Sequence, residues 1–332
     1  MVTAVMKERF ELITSDQEST ANEFSKDVAE GLSGAPKRLP SVYFYDKEGS
    51  LLFEKICDLP EYYLTRTETE ILNEYADEIS SKFTEDIMLV ELGSGSSAKT
   101  RILIESFIRR FGSVCYYPID ISRTMLENSS KALLKDYPGL EITAVAARYR
   151  EGLNLLKNYS DRPKLILWLG SSIGNFDHEE SVEFLIRLRE TITSNDGLIV
   201  GADLRKSRNI LERAYDDSQG VTAAFNLNIL KRINRELNAD FNPGTFRHHA
   251  HYDEESGRVE MHLISKIDQS VQVGEEKYSF AEGESIWTES SYKYSLNEFS
   301  EIADQAGFAV EKVWMDEETR FSLQYLIPKG TL

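Results

Sequence analysis

Gly93 and Gly95, with Asp120 25 positions after the second glycine, are the residues best suited to hold a nucleotide-like ligand. They lie in Met88-Leu-Val-Glu-Leu-Gly-Ser-Gly-Ser-Ser-Ala-Lys-Thr100, an apolar run, a glycine turn and then a helical stretch over 98–111. A strand, turn and helix N-terminus in that order present backbone N–H groups and bare Cα surface to such a ligand. Ala98 stands where the dinucleotide fingerprint has its third glycine, a permitted variant. An acidic residue ending the second strand accepts hydrogen bonds from ribose hydroxyls, which assigns that role to Asp120. The plain alternative is a surface carboxylate at a strand end. Asn175, in Gly170-Ser-Ser-Ile-Gly-Asn175 after the fourth strand, brings a donor and an acceptor suited to an amine and its neighbouring carboxylate. Its plain alternative is an asparagine in the left-handed position of a turn.

These residues need a parallel sheet beneath them, and the hydrophobic pattern predicts one. Strands at 88–92, 114–119, 141–147, 164–169 and 197–202 alternate with helices at 98–111, 122–137 (Ser122 as N-cap), 149–156 and 179–193. That rhythm implies βαβ units whose strand ends share one ligand-binding edge. Upstream, residues 1–16 read as a loose arm, and Phe24, Val28 and Leu32 mark a helix over 19–32. An aromatic loop over 43–53 and a helix over 67–83 follow. Tyr43, Tyr45, Tyr62 and Tyr63 either line a pocket or pack onto a core. Past Asp203 come helices at 208–217 and 221–237, then strands at 245–266, 270–280 and 285–294, a second α+β unit. A helix at 296–306 and strands at 308–314 and 321–327 return the chain to the first unit. Seven strands with an antiparallel last insertion, the E-x-G-x-G turn and the acidic Glu91 favour a Rossmann-like class I methyltransferase sheet over a nicotinamide dehydrogenase.

A net charge of -18 over 332 residues repels phosphate backbones and anionic lipid, which excludes nucleic acid and membranes as partners. The charged N-terminus and the absence of a long apolar run lead to the expectation of a cytoplasmic protein. Cys57 and Cys115, in apolar contexts, read as small buried hydrophobes. His248-His249-Ala-His251 has the look of a metal cluster, but no Cys or further His lies at ligand spacing. It reads as a solvated loop, and no metal is expected. Asp216-Asp217 and Glu254-Glu255 read as solvated faces.

Four longer stretches carry a resemblance. Leu59-Pro-Glu-Tyr-Tyr-Leu-Thr-Arg-Thr-Glu68, Glu91-Leu-Gly-Ser-Gly95, Gly170-Ser-Ser-Ile-Gly-Asn175 and Arg213-Ala-Tyr-Asp-Asp-Ser-Gln-Gly-Val-Thr-Ala-Ala-Phe-Asn226 resemble the histidine Nα-methyltransferases of ergothioneine biosynthesis. The resemblance runs from about residue 20 to the end of the chain. It implies an S-adenosylmethionine-dependent enzyme that trimethylates the α-amine of free L-histidine to hercynine. It also implies a histidine-binding α+β domain over 17–66 and 206–294, and a donor-binding domain over 67–205 and 295–332. By position, Gly93, Gly95, Lys99 and Asp120 would contact the methyl donor. Tyr62, Asn175 and Tyr215 would hold the carboxylate and amine, with Asn175 and Tyr215 orienting the reacting group. Glu289 and Ser291 would bond the imidazole, while Tyr45, Phe53 and Met261 would shape its pocket. A carboxylate and a hydroxyl can satisfy both imidazole nitrogens, and such a site rejects analogues that lack them.

One departure stands out. Where the family usually has Gly-Asp-Phe after the third strand, its Asp receiving the adenine amino group, this chain has Ala147-Arg148-Tyr149. Arg148 cannot accept a hydrogen bond, so adenine must be read by a backbone carbonyl, by stacking on Tyr149, or differently. The competing readings are a same-family enzyme for another amino acid such as tryptophan, a nicotinamide-dependent oxidoreductase, and a binding protein without turnover. A monomer is expected.

Overall fold

Residues 9–14, 17–156 and 162–330 are described by the computed structural model. The chain runs β1 (Phe10–Thr14), α1 (Gln17–Ser33), β2 (Lys37–Arg38), α2 (Lys47–Cys57), α3 (Tyr63–Ser81), β3 (Met88–Leu92), α4 (Thr100–Phe111), β4 (Val114–Asp120) and α5 (Arg123–Asp136). It continues through β5 (Leu140–Ala146), α6 (Tyr149–Leu156), β6 (Lys164–Trp168), α7 (His178–Arg189), β7 (Gly197–Asp203), α8 (Arg208–Tyr215) and α9 (Val221–Leu237). Next come β8 (Phe246–Asp253), β9 (Arg258–Ser265), β10 (Gln269–Val273), β11 (Glu276–Phe280) and β12 (Ser285–Tyr292). The chain closes with α10 (Leu296–Gln305), β13 (Phe308–Met315) and β14 (Phe321–Pro328).

The large sheet has the order β1-β5-β4-β3-β6-β7-β14-β13. Its β3–β7 strands are parallel neighbours, and β14 inserts antiparallel between β7 and β13, as expected of a class I methyltransferase. Helices cover both faces, so every residue of β3 and β6 is buried. Alternation along β3 sends Leu89 to the side of α3 and α4, and Met88, Val90 and Leu92 to the side of α6, α7 and α10.

Among the described residues the large sheet has eight strands rather than seven. Phe10–Thr14, inside the expected loose arm, pairs in parallel with Leu140–Ala146. Phe10 and Leu12 pack against the core there, an edge contact too short to betray itself as a periodic pattern. The aromatic stretch expected as a loop over 43–53 ends a 3-10 turn (Ser41–Phe44) and then enters helix α2, started by the Asp46 carboxylate accepting the Gly49 N–H at 2.7 Å. Ser122 does precede α5, but its side chain makes no capping bond. The broad strands expected over 245–266 and 270–280 are two hairpins, β8–β9 and β10–β11. Asp217, expected on a solvated face, is buried and accepts the Gln219, Val221 and Thr222 N–H groups at the start of α9. Both cysteines are free and only partly buried. No helix among the described residues is long and apolar enough to cross a membrane.

A second sheet, β2-β12-β9-β8, shares its apolar side with α2 and α9 and with the same core that underlies the large sheet. The C-terminal end of β12 reaches the carboxyl ends of β6 and β7. Leu204 bridges to Tyr294, and a 3-10 turn at Ser172–Asn175 lies on Tyr292. That junction brings residues from both halves of the chain together.

Candidate active site

On the large-sheet side, the turn after β3 is built from positive backbone angles at Gly93 (φ 73°), Gly95 (φ 48°) and Ser97 (φ 56°). A Cβ on Gly93 would come within 2.6 Å of the Tyr149 hydroxyl, whereas one on Gly95 would meet nothing within 4 Å. Gly93 is thus fixed by packing and Gly95 by conformation alone, with an open side above it. Asp120 accepts the Gly95 N–H at 2.9 Å and the Ser122 N–H at 2.8 Å. Burial raises its pKa against the backbone N–H groups of Ser122, Gly95 and Ile121. The carboxylate has roughly four acceptor positions, and these backbone groups do not use them all, which leaves capacity for a hydroxyl.

Lys99 pairs with the Glu68 carboxylate of α3, which also accepts the Gly170 N–H at 2.9 Å. Glu68 therefore ties α3 to the turns after β3 and β6. Glu91 points below the turn, where it accepts from Thr100 Oγ1 at 2.5 Å and from the Tyr116 hydroxyl. Burial pushes its pKa up to about 7. It braces the turn from inside.

Arg148 turns toward α1, pairing with Glu23 at 3.1 Å and donating to the Tyr43 hydroxyl at 3.1 Å. It fastens the β5 end to α1 and the α2 region. Tyr149 is wedged between Gly93 and the Trp168 and Phe184 rings, with centroid separations of 6.3 and 5.9 Å.

Side chains from α2, α8, α9 and the turns before α2 and α3 form an aromatic wall. Tyr45 and Phe53 lie edge-on at 5.5 Å, Phe53 and Tyr62 at 6.2 Å, and Tyr62 and Tyr215 at 6.2 Å. Phe225 of α9 touches both Tyr45 and Phe53, at 5.7 and 6.0 Å. Met261 of β9 is buried and pairs in register with Glu289 of β12. No described side chain hydrogen-bonds the Glu289 carboxylate. Burial pushes its pKa up to about 7, and the Lys293 charge opposes the rise.

Ser291, Tyr215 and Lys293 form one cluster. The Tyr215 hydroxyl and Ser291 Oγ are 2.8 Å apart, and Lys293 Nζ donates to each at 2.8 Å. Lys293 is wholly buried and pairs with Asp203 at 2.9 Å. Asp203 also receives Lys206 at 2.6 Å and the Tyr63 hydroxyl at 2.7 Å. Burial favours the neutral acid, but Lys293 and Lys206 together hold Asp203 below the usual carboxylate range. Burial brings Lys206 down to about 8. Behind Tyr215, His248 Nε2 lies 2.8 Å from the Tyr215 carbonyl, and its Nδ1 lies 2.9 Å from Asn226.

Asn175 ends its turn in ordinary backbone geometry, since the positive angle falls on Ser171 (φ 58°). A Cβ on Gly174 would lie 2.8 Å from the Tyr292 carbonyl. Only glycine lets the Asn175 turn approach the strand that carries Glu289 and Ser291.

The structure therefore brings the predicted residues to two adjoining regions at the carboxyl edge of the large sheet. Lys293, Asp203, Lys206, Glu68 and Phe225 were given no role by the sequence, and Tyr63, read as lining a pocket or packing on a core, bonds Asp203 instead. Phe225 lies inside one of the stretches quoted above, but nothing in composition marks a buried lysine–aspartate pair 90 residues apart.

A profile described as histidine-specific methyltransferase, S-adenosylmethionine-dependent, matches residues 24–328. The chain belongs to that family. A histidine N-alpha-methyltransferase from Mycolicibacterium smegmatis is 41% identical over 318 residues, covering 93% of this chain and 96% of that one. Another from Mycobacterium tuberculosis is 40% identical over 300 residues, covering 90% and 92%. "Ergothioneine biosynthesis protein 1" of Neurospora crassa is 33% identical over 284 residues, which span 84% of this chain but 32% of that longer protein. The resemblance carried by the four sequence stretches is thereby borne out, as is dependence on S-adenosylmethionine.

Within this methyltransferase, Gly174→Ala is expected to push the Asn175 turn off β12. Measured turnover of the amino-acid substrate should fall by roughly 10–100-fold, the scale of a misplacement near 1 Å. Affinity for S-adenosylhomocysteine, measured by calorimetry, should stay near wild type because the β3 turn is untouched.

Proposed function

We propose that this chain trimethylates the α-amine of free L-histidine to hercynine, the first step of ergothioneine biosynthesis. The observation that carries the reading is Glu289, a half-buried carboxylate with no described side-chain partner, beside an aromatic wall and two positions from Ser291. A carboxylate desolvated in that way is costly unless a ligand bonds it. An imidazole N–H is a fitting donor, and Ser291 can serve the other nitrogen. The names of the mycobacterial relatives support the same substrate.

Gly93, Gly95, Lys99 and Asp120 fit a nucleoside-bearing methyl donor through an open glycine turn and a carboxylate with spare acceptor positions. S-adenosylmethionine, when bound, supplies an electrophilic methyl group. Arg148 supplies no acceptor for adenine, so backbone groups near Tyr149 take that role. Asn175 and Tyr215 orient a neutral amine, and Tyr62 helps hold the carboxylate. Positioning and exclusion of water supply most of the rate, and no dedicated strong base is required. The histidine-binding unit comprises 17–66 and 206–294, and the donor-binding unit 67–205 and 295–332. The enzyme works as a cytoplasmic monomer.

Calorimetry in the presence of S-adenosylhomocysteine tests the pocket. Histidine is expected to bind, and ring-methylated histidines, which lose an N–H, to bind at least roughly tenfold more weakly. Preferential binding of tryptophan would overturn the substrate assignment while leaving the reaction class in place.

A further inference from the structure

The sequence 248–251 forms part of strand β8, not a solvated loop, and its histidines divide between two faces. His248 faces inward to Asn226 and the Tyr215 carbonyl. His249 and His251 take the opposite side, where the register sets His249 against His262 and His251 against Glu260. Met261, paired with Ala250, lies on the inner face. Four side chains with metal-ligating atoms thus form a two-by-two array behind the wall that carries Met261.

Three of them converge. His262 Nε2 lies 3.0 Å from Glu260 Oε2, and His251 Nε2 lies 3.6 Å from the same oxygen. All three atoms fall within 4.8 Å of one another. Tetrahedral ligands at about 2.0–2.1 Å from a zinc-sized ion sit about 3.3 Å apart, between those two distances. The rings of His251 and His262 are stacked at 5.4 Å, and His249 continues the stack at 5.5 Å from His251. A single carboxylate oxygen serves both imidazoles, while His251 Nδ1 and His262 Nδ1 are buried with no partner in the structure.

The remaining carboxylate oxygen is anchored separately. Arg258 Nε and Nη2 reach Glu260 Oε1 at 2.8 and 2.6 Å, and Arg258 Nη1 donates to the Tyr292 hydroxyl at 2.7 Å. The guanidinium also lies over Trp287, 4.5 Å from the ring centroid. Glu260 is therefore held with Oε2 facing the histidines, the arrangement in which an outer partner orients a metal-ligating carboxylate.

We propose that His251, Glu260 and His262 bind a divalent transition-metal ion of the zinc, cobalt or nickel class. Two imidazoles and one carboxylate oxygen suit such borderline ions and disfavour magnesium or calcium, which require mostly oxygen ligands. An ion there ties β8 to β9 directly behind Met261. It acts on the pocket by stiffening its wall, at a distance from the reacting groups.

The test uses full-length, tag-free, chelator-treated protein in a non-coordinating buffer without histidine, which itself chelates metals. Cobalt(II) titration followed by visible absorption is expected to show one saturable site, with the band abolished by added zinc. Zinc should raise the melting temperature of the wild type. His251→Asn and His262→Asn should each weaken cobalt binding by roughly tenfold or more. Unchanged affinity for S-adenosylhomocysteine will show that both variants fold. Absence of a saturable band, or a band that survives both substitutions, overturns the proposal.

Discussion

Glu289→Gln is expected to yield a protein more stable than wild type at pH 8 and a much poorer catalyst of histidine methylation. The folded chain holds the Glu289 proton up to about pH 7, whereas the ordinary value is 4.5. Between those values the folded state binds more protons than the unfolded state. Stability therefore falls as pH rises from 4.5 toward 7, and the loss is complete above that range. The gap corresponds to at most about 3 kcal/mol, reduced by the solvent that still reaches the half-buried carboxylate. Glutamine removes that charge and keeps the shape. Urea denaturation of both proteins at pH 5 and pH 8 isolates the effect, and the difference should open only at the higher pH. The same substitution removes a charge-assisted bond to the imidazole, worth about 1.5–3 kcal/mol, or roughly 10–150-fold in kcat/KM. Equal stability at pH 8 together with unchanged turnover would deny Glu289 its assigned role.

The second large effect concerns the buried pair beneath Tyr215. Asp203→Asn leaves Lys293 wholly buried, and Lys206 nearby, without their counter-charge. Removing one partner of such a pair costs about 3–5 kcal/mol, which urea denaturation will register directly. Lys293→Met differs in kind, because Asp203 keeps Lys206 and the Tyr63 hydroxyl. Its stability loss should be the smaller of the two. Tyr215 and Ser291, however, lose the donor that holds both, so the KM for histidine should rise by about tenfold. If Asp203→Asn proves neutral while Lys293→Met unfolds the chain, this network is misassigned.

The donor side of the fold was legible in the sequence because its signals are local. An apolar strand, two glycines and an acidic strand end each lie within a few residues of the backbone that uses them. The parallel sheet followed from periodicity, and β14 from its place after an insertion. What stayed hidden is non-local. The edge strand Phe10–Thr14 owes its order to pairing with Leu140–Ala146 rather than to its own five residues. Helix α2 was concealed by Gly49 and Ser50 in its first turn and by the aromatic residues just before it, and it forms because Asp46 caps it and Phe225 packs against it. The Lys293–Asp203 pair and the histidine array across β8 and β9 exist only through strand register. The family resemblance supplied Glu289 and Tyr215, and no spacing rule could place Tyr215 against Ser291 and Lys293 or Glu289 opposite Met261.

Mass spectrometry of purified protein incubated with S-adenosylmethionine and an equimolar pool of free amino acids tests the substrate and the reaction most directly. Histidine alone is expected to gain one, two and then three methyl masses, with fragmentation placing all of them on the α-nitrogen. Methylation of tryptophan or another amino acid, or of an imidazole nitrogen, would contradict the assignment of Glu289 and Ser291 to the histidine ring.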